Sequence, residues 1–149
     1  MIINEICFLI SDTDDIKGPF GYNPTTTPKN YTKGKYVGYD ESKPDWAYSI
    51  SFGTPSIVDN IPQIEIIYTP KNLDEVKIIA IEMIKSEQNK QLSPTDWYAV
   101  RKIRIGEDIP DNIISEQTII YNIGHSVRLS ISFANSVSDI VNKFPINWS

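Results

Sequence analysis

The spacing of apolar and polar positions along the 149 residues changes once, at Tyr68-Thr69-Pro70. Before that point a period of two dominates. Trp46–Phe52 (WAYSISF) alternates apolar with small or polar residues, as a half-buried strand does. In Ile61–Tyr68, Ile64, Ile66 and Tyr68 share one side while Glu65 and Ile67 share the other, with Pro62 expected at the strand's edge or start. Ile2–Ile10 predicts a further strand and Tyr31–Tyr39 a short one. Between them, Ser11–Asn30 carries Gly18, Pro19, Gly21, Pro24 and Pro28 around the run Thr25-Thr26-Thr27. Proline fixes φ and removes a donor, so this stretch excludes a long helix and reads as an extended surface loop or arm. Residues 1–70 are thus expected to form a small β-rich docking unit.

After Pro70 the period becomes helical. Asn72-Leu73-Asp74-Glu75 spells a capping box and opens a helix to about Lys90, with Val76, Ile79 or Ala80, Met83 and Ile84 along one side. Glu82 with Lys85, and Glu87 with Lys90, are spaced as ion pairs on the wet side. Ser93-Pro94-Thr95-Asp96 reads as a second helix start, with Ser93 at the N-cap, Pro94 at the first helical position and Asp96 closing a box. Leu92 and Trp97 are spaced as a hydrophobic staple around that cap. Burial of Trp97 in such a staple would make Trp97→Ala cost on the order of 3 kcal/mol. The helix Trp97–Arg104 is expected to stop at Gly106, and Pro110 restarts the chain.

Pro110–Ala134 supports two readings. Ile113, Ile120, Val127, Ile131 and Ala134 follow helical spacing, whereas Val127, Leu129, Ile131 and Phe133 also alternate as a strand would. Helix is favoured, although Gly124 weakens it. No charge falls between Glu116 and Arg128, and the apolar residues there point in several directions. A helix apolar on more than one side needs more than one neighbour, so Ile113, Ile120, Ile123, Val127 and Ile131 are candidate oligomer-interface residues, with a homotrimer favoured. Ile120→Asp or Ile123→Asp is then expected to abolish oligomers. Ser136-Val137-Ser138-Asp139 forms a third capping box, Pro145 ends the short helix it starts, and Trp148 in the tail is expected to pack back. The predicted fold class is α+β: a β-rich unit over 1–70, then a helical hairpin or bundle over 71–149 whose one long helix is a coiled-coil candidate.

Charge and chemistry narrow the function. A formal net charge of −5 with no basic stripe argues against nucleic-acid binding. The single cysteine, Cys7, sits in the apolar run Ile6–Ile10 and reads as a buried, inert thiol. The opening MIINEICFLI lacks a basic n-region and the length of a membrane span, so no membrane partner is expected. His125 is the only histidine, and Gly124 and Ser126 beside it complete no catalytic string, so it reads as a surface or interface residue. Asp12, Asp14 and Asp15 have Ile16 where a calcium loop needs its third ligand. No P-loop or dinucleotide fingerprint occurs. Acids are plentiful, but no pair is framed as in a two-carboxylate glycan hydrolase. No catalytic residue, metal site or cofactor is therefore assigned. Arg101, Lys102 and Arg104 form a basic helix face and are candidate partner-docking residues. Tyr22, Tyr31, Tyr36, Tyr39, Trp46 and Tyr48 read as core and rim of the β unit, or as a partner- or carbohydrate-binding face.

The string Leu92-Ser93-Pro94-Thr95-Asp96-Trp97-Tyr98-Ala99-Val100-Arg101-Lys102, followed by Gly106 and Ile109-Pro110, resembles a module of small tailed-bacteriophage tail or tail-fibre assembly proteins and minor virion structural proteins. The resemblance spans residues 72–149, about half the chain. It implies a non-enzymatic, tail-associated adaptor made in the host cytoplasm, with other phage virion proteins as partners. The alternative it implies is an assembly chaperone absent from the finished particle. Arg104-Ile105-Gly106 stands where such proteins often carry Glu-Thr-Gly, and Glu116-Gln117 where they often carry arginines. Both departures favour a helix held in a permanent assembly.

Overall fold

In the computed structural model the described residues are 5–10, 16–20 and 31–148, with side chains described from residue 34 onward. The chain is α+β. It divides into two compact units, Met1–Thr69 and Pro70–Ser149.

The first unit is a mixed sheet of β1 (Glu5–Ile10), β2 (Ile16–Phe20), β3 (Tyr31–Val37), β4 (Tyr48–Phe52), β5 (Ser56–Val58) and β6 (Ile61–Pro70). Its order is β2-β1-β3-β6-β4, with β5 also paired to β6. β1 runs antiparallel to β2 and to β3, whereas β3 and β6 are parallel, with Tyr36 opposite Ile64. The expected two-sided character of β6 is present. Pro62 and Ile64 are buried, Ile66 and Tyr68 half-buried, and Ile61, Glu65 and Ile67 exposed. Pro62, the second residue of β6, stands at the strand's start as expected, and its side chain is on the buried face.

Two features of this unit correct the sequence reading. Part of the expected arm Ser11–Asn30 is strand β2, containing Gly18 and Pro19; the rest of that stretch lies outside the described residues. β2 ends the sheet order, and an edge is where a strand proline is tolerated, because its missing N–H faces away from the ladder. The second is β5, which pairs antiparallel with the start of β6. The turn between them is Asp59-Asn60, both at positive φ (51° and 62°), the hairpin chemistry that matches strand twist. The Cys7 side chain and residues Asp12, Asp14, Asp15 and Tyr22 lie outside the described residues, as does the Tyr31 side chain.

The second unit holds α1 (Leu73–Leu92), a single 3-10 turn (Ser93–Thr95), α2 (Asp96–Ile105), α3 (Asp111–Ser132) and α4 (Val137–Val141). Asn72 caps α1 as expected: its Oδ1 accepts from the backbone N–H groups of Asp74 (3.0 Å) and Glu75 (3.2 Å). Asn72→Ala is expected to cost about 1 kcal/mol in urea unfolding, since two orphan donors lose their acceptor. Ser136 likewise caps α4, accepting from Asp139 N–H at 3.1 Å.

α1 buries Val76, Ala80, Ile84, Gln88 and Leu92, one residue per four along a single stripe. Ala80, not Ile79, carries the inward position. α3 is helical through Ser132, so the alternation at Val127–Phe133 is not a strand. Ile120 and Ile131 are buried on α3, and Val137 and Ile140 on α4. Three contacts give the direction of packing. Lys77 meets Ser132, Gln88 meets Arg128, and Thr95 meets Gln117, so rising numbers on α1 and its turn meet falling numbers on α3. α1 and α3 are antiparallel.

The junction after α1 differs from the expected capping box. Ser93 is the C-cap of α1, in right-handed helical geometry, with its N–H bonded to Asn89 C=O. The chain never leaves helical dihedrals between α1 and α2; it tightens to a 3-10 turn at Pro94, which has no N–H to continue the ladder. Neither Ser93 nor Thr95 caps α2 with its side chain.

Candidate interaction surface

α2 has no buried residue. Trp97 and Val100 are each 46% exposed, Ile105 68% and Ile103 85%. The buried staple is therefore absent: Leu92 belongs to the α1 core, while the Trp97 ring lies stacked on Tyr98 with centroids 3.9 Å apart, under the Arg101 guanidinium at 5.0 Å. Trp97→Ala is accordingly expected to cost about 1 kcal/mol, the scale of a lost ring stack rather than of a core cavity. Unfolding by urea checks this, and a loss near 3 kcal/mol would return Trp97 to the core.

Gly106 ends α2 as its position predicted. It sits at φ +73°, a left-handed conformation costly for other residues, and its N–H closes on Lys102 C=O at 3.0 Å. This geometry folds the acidic loop back on the basic helix. Arg101 pairs with Glu107, and Lys102 with Asp108 at 3.3 Å. Of the three expected docking cations, two are thus partly neutralised from within the chain, and Arg104 is exposed without an acidic partner among the described residues. Exposed pairs of this kind contribute little to stability. Asp96 begins α2 at its positive dipole end, and Pro110 is the N-cap residue of α3 at φ −57°, ψ 141°.

Thr95 was not singled out by sequence, yet it ties the corner together. It is buried, its hydroxyl donates to Leu92 C=O at 2.8 Å, and it accepts from Gln117 Nε2 at 2.8 Å. A second missed contact lies half-way along the helix pair. Gln88, 5% exposed, accepts through Oε1 from Arg128 Nη1 across the groove where Gly124 is buried. A β-carbon at Gly124 would lie 2.8 Å from Gln88 Cδ and 3.2 Å from Arg128 Nη1. The glycine that weakens the helix in isolation is what lets the polar pair close.

The five candidate interface residues of α3 turn to this same inner side. Ile120 and Ile131 are buried, and Ile113, Ile123 and Val127 are half-buried. They do not form a free outer stripe, and Ile120→Asp would report on folding rather than on assembly. The outer side of the helix is the open one: Ile114 (47% exposed), Tyr121 (56%) and Leu129 (49%) on α3 and Phe133 (74%) just past its end, while Ile119 (51%) borders the Trp148 groove. His125 is exposed on this outer face.

Trp148 does pack back. It is half-buried and shares one groove with Met83, Glu87, Gln91, Phe144 and Ile146, and another with Asn112, Glu116, Ile119 and Ile120. Glu87, beside the first groove, is held below the usual carboxylate range by the Gln91 amide first and by Lys90 second. In the β unit, Tyr48 is buried and Trp46 half-buried, Tyr36 meets Phe52 with ring centroids 5.3 Å apart, and Tyr68 Oη accepts from Asp40 N–H at 3.1 Å. Of these aromatics Tyr48 belongs to the core, whereas Phe52 is 53% and Tyr39 46% exposed.

Among the described residues no group of three or more His, Cys, Asp or Glu is placed to hold a metal ion, and no helix is long and apolar enough to cross a membrane. No family model, curated protein or solved structure matches the chain.

Proposed function

We propose that this protein is a non-enzymatic structural component of a tailed-bacteriophage particle, associated with the tail or its fibres, which works as an adaptor and oligomerises through its helical unit. The supporting observation is the apolar outer surface of α2 and α3, where Ile103, Ile105 and Phe133 are 85, 68 and 74% exposed. Large apolar side chains left this open on adjoining helices favour burial against another protein. The resemblance at Leu92–Lys102 supplies the setting, and the β unit supplies a second body for contact with a neighbouring virion protein.

The groove lined by Met83, Phe144, Pro145, Ile146 and Trp148 favours a second reading, an assembly chaperone that holds a tail or fibre segment and then leaves. Quantitative mass spectrometry of purified particles separates the two. A fixed copy number against the major capsid protein supports the structural component. Absence from particles, with abundance in infected cells, transfers the proposal to the chaperone.

A further inference from the structure

The helical unit presents two open surfaces of opposite charge. α2 carries three cations and one acid, whereas α1 carries four acids and three lysines, and α3 two acids and one arginine. No residue of α2 is buried. Trp97, Val100 and Arg104, spaced three and four apart, lie along one side of it, with Ile103 beside them. Arg101 and Lys102 are held by Glu107 and Asp108, so Arg104 is the cation that this apolar side has free among the described residues.

The second surface is the pair of grooves that share Gln91 and Trp148 and are walled by α1, α3 and the tail. They are apolar at Met83, Ile119 and Phe144, no lysine or arginine lines either one, and their charged residues are Glu87 and Glu116. Glu87 is engaged by Lys90 and Gln91. Glu116 is exposed and meets no cation among the described residues. An unpaired arginine in an apolar stripe thus has its complement in an unpaired glutamate beside an apolar groove. The lengths agree as well. From Trp97 to Arg104 the helix rises about 10 Å, and from Met83 to Gln91 the α1 wall rises about 12 Å.

We infer that α2 of one copy of this chain docks in the Trp148 groove of another, with Arg104 against Glu116 and with Val100 and Ile103 against the apolar wall. A basic helix calls for an acidic partner, and the chain itself, at a formal net charge of −5, is one. The contact joins two different surfaces, so copies assemble through it into closed rings or exchanged pairs. This rests on the oligomerising role proposed above, and it replaces the inward-facing isoleucines of α3 as the contact.

Sedimentation equilibrium of the full chain at micromolar concentration tests it. The wild type is expected at a multiple of 16.9 kDa. Ile103→Glu, Arg104→Glu and Glu116→Lys, each at an exposed position, are expected to raise the dissociation constant at least about tenfold and to leave the far-ultraviolet circular-dichroism spectrum unchanged. An equal mixture of the Arg104→Glu and Glu116→Lys chains is expected to reassemble, because the helix of each then meets the groove of the other with opposite charge. A monomeric wild type overturns the contact and leaves the groove to a segment of another protein. A mixture that stays dissociated overturns it too. An oligomer whose mass none of the three changes moves overturns the contact, yet leaves an oligomerising virion component standing. Absence from particles in the mass-spectrometric experiment removes the virion role without touching the contact.

Discussion

Gly124→Leu is expected to destabilise the helical unit by about 2–4 kcal/mol, the sum of overpacking and of a buried amide left without its partner, less the gain in helix propensity. The reasoning rests on one crossing point. Any β-carbon at this position enters the space of the Gln88 amide, and leucine adds three further carbons behind it. Gln88 is buried and bonded to the Arg128 guanidinium, so moving it forfeits a charge-assisted bond in a site with little water to replace it. In an exposed helix the same glycine would be a defect of about 1 kcal/mol that any larger residue improves. Urea unfolding measures the change, and a Gln88→Ala background is expected to reduce the cost of Gly124→Leu markedly, because the obstacle is gone. Equal costs in both backgrounds would show that α1 and α3 do not meet there.

Ile84→Ala is expected to lose about 3–4 kcal/mol, in the range for deleting three buried carbons from a packed core. Ile84 lies at the centre of the α1 stripe with no exposed surface, one turn from Ala80 and one from Gln88. The companion substitution is Ile103→Ala in α2. It removes the same atoms from a side chain 85% exposed and is expected to change stability by less than about 0.5 kcal/mol. Unfolding both by denaturant gives the contrast directly. A large loss at Ile103 in the isolated chain would mean that α2 is covered, and that the exposed surface underlying the proposed adaptor role is not free.

Legibility followed the range of the interaction involved. Asn72, Ser136 and Gly106 ended or began helices where their residue types implied, because a cap is satisfied by N–H groups within three or four residues. The Glu82–Lys85 and Glu87–Lys90 pairs formed for the same reason. The hairpin turn Asp59-Asn60 was equally local and could have been read from its residue types; it was hidden by a β5 strand only three residues long. Ser93 shows where local grammar fails. Ser-Pro-Thr-Asp satisfies the capping pattern, but a capping residue must first leave helical dihedrals, and the packing of Leu92 and Thr95 against the helix pair keeps the chain helical there.

The candidate interaction surface was legible as a set of residues and not as a surface. Trp97, Ile103 and Ile105 were apolar enough for a core, and Ile113, Ile120, Ile123, Val127 and Ile131 were spaced for an interface, yet the first group is exposed and the second faces inward. α3 is apolar around much of its circumference, so periodicity could not rank its faces. The ranking came from Gln88, Lys77 and Thr95 on the neighbouring elements, each far away in sequence.

By itself, then, the sequence determined the α+β class, the change from strand to helix near Pro70 and most of the helix ends. Those properties depend on dihedral preferences, alternation and hydrogen bonds that reach no further than a turn. Only the tertiary structure decided that Ser93 ends a helix, that Gly124 is a contact point and that the outer rather than the inner face of α3 is free. Which of two apolar faces is buried depends on the neighbour that covers it, and that neighbour is chosen by the packing of the whole unit.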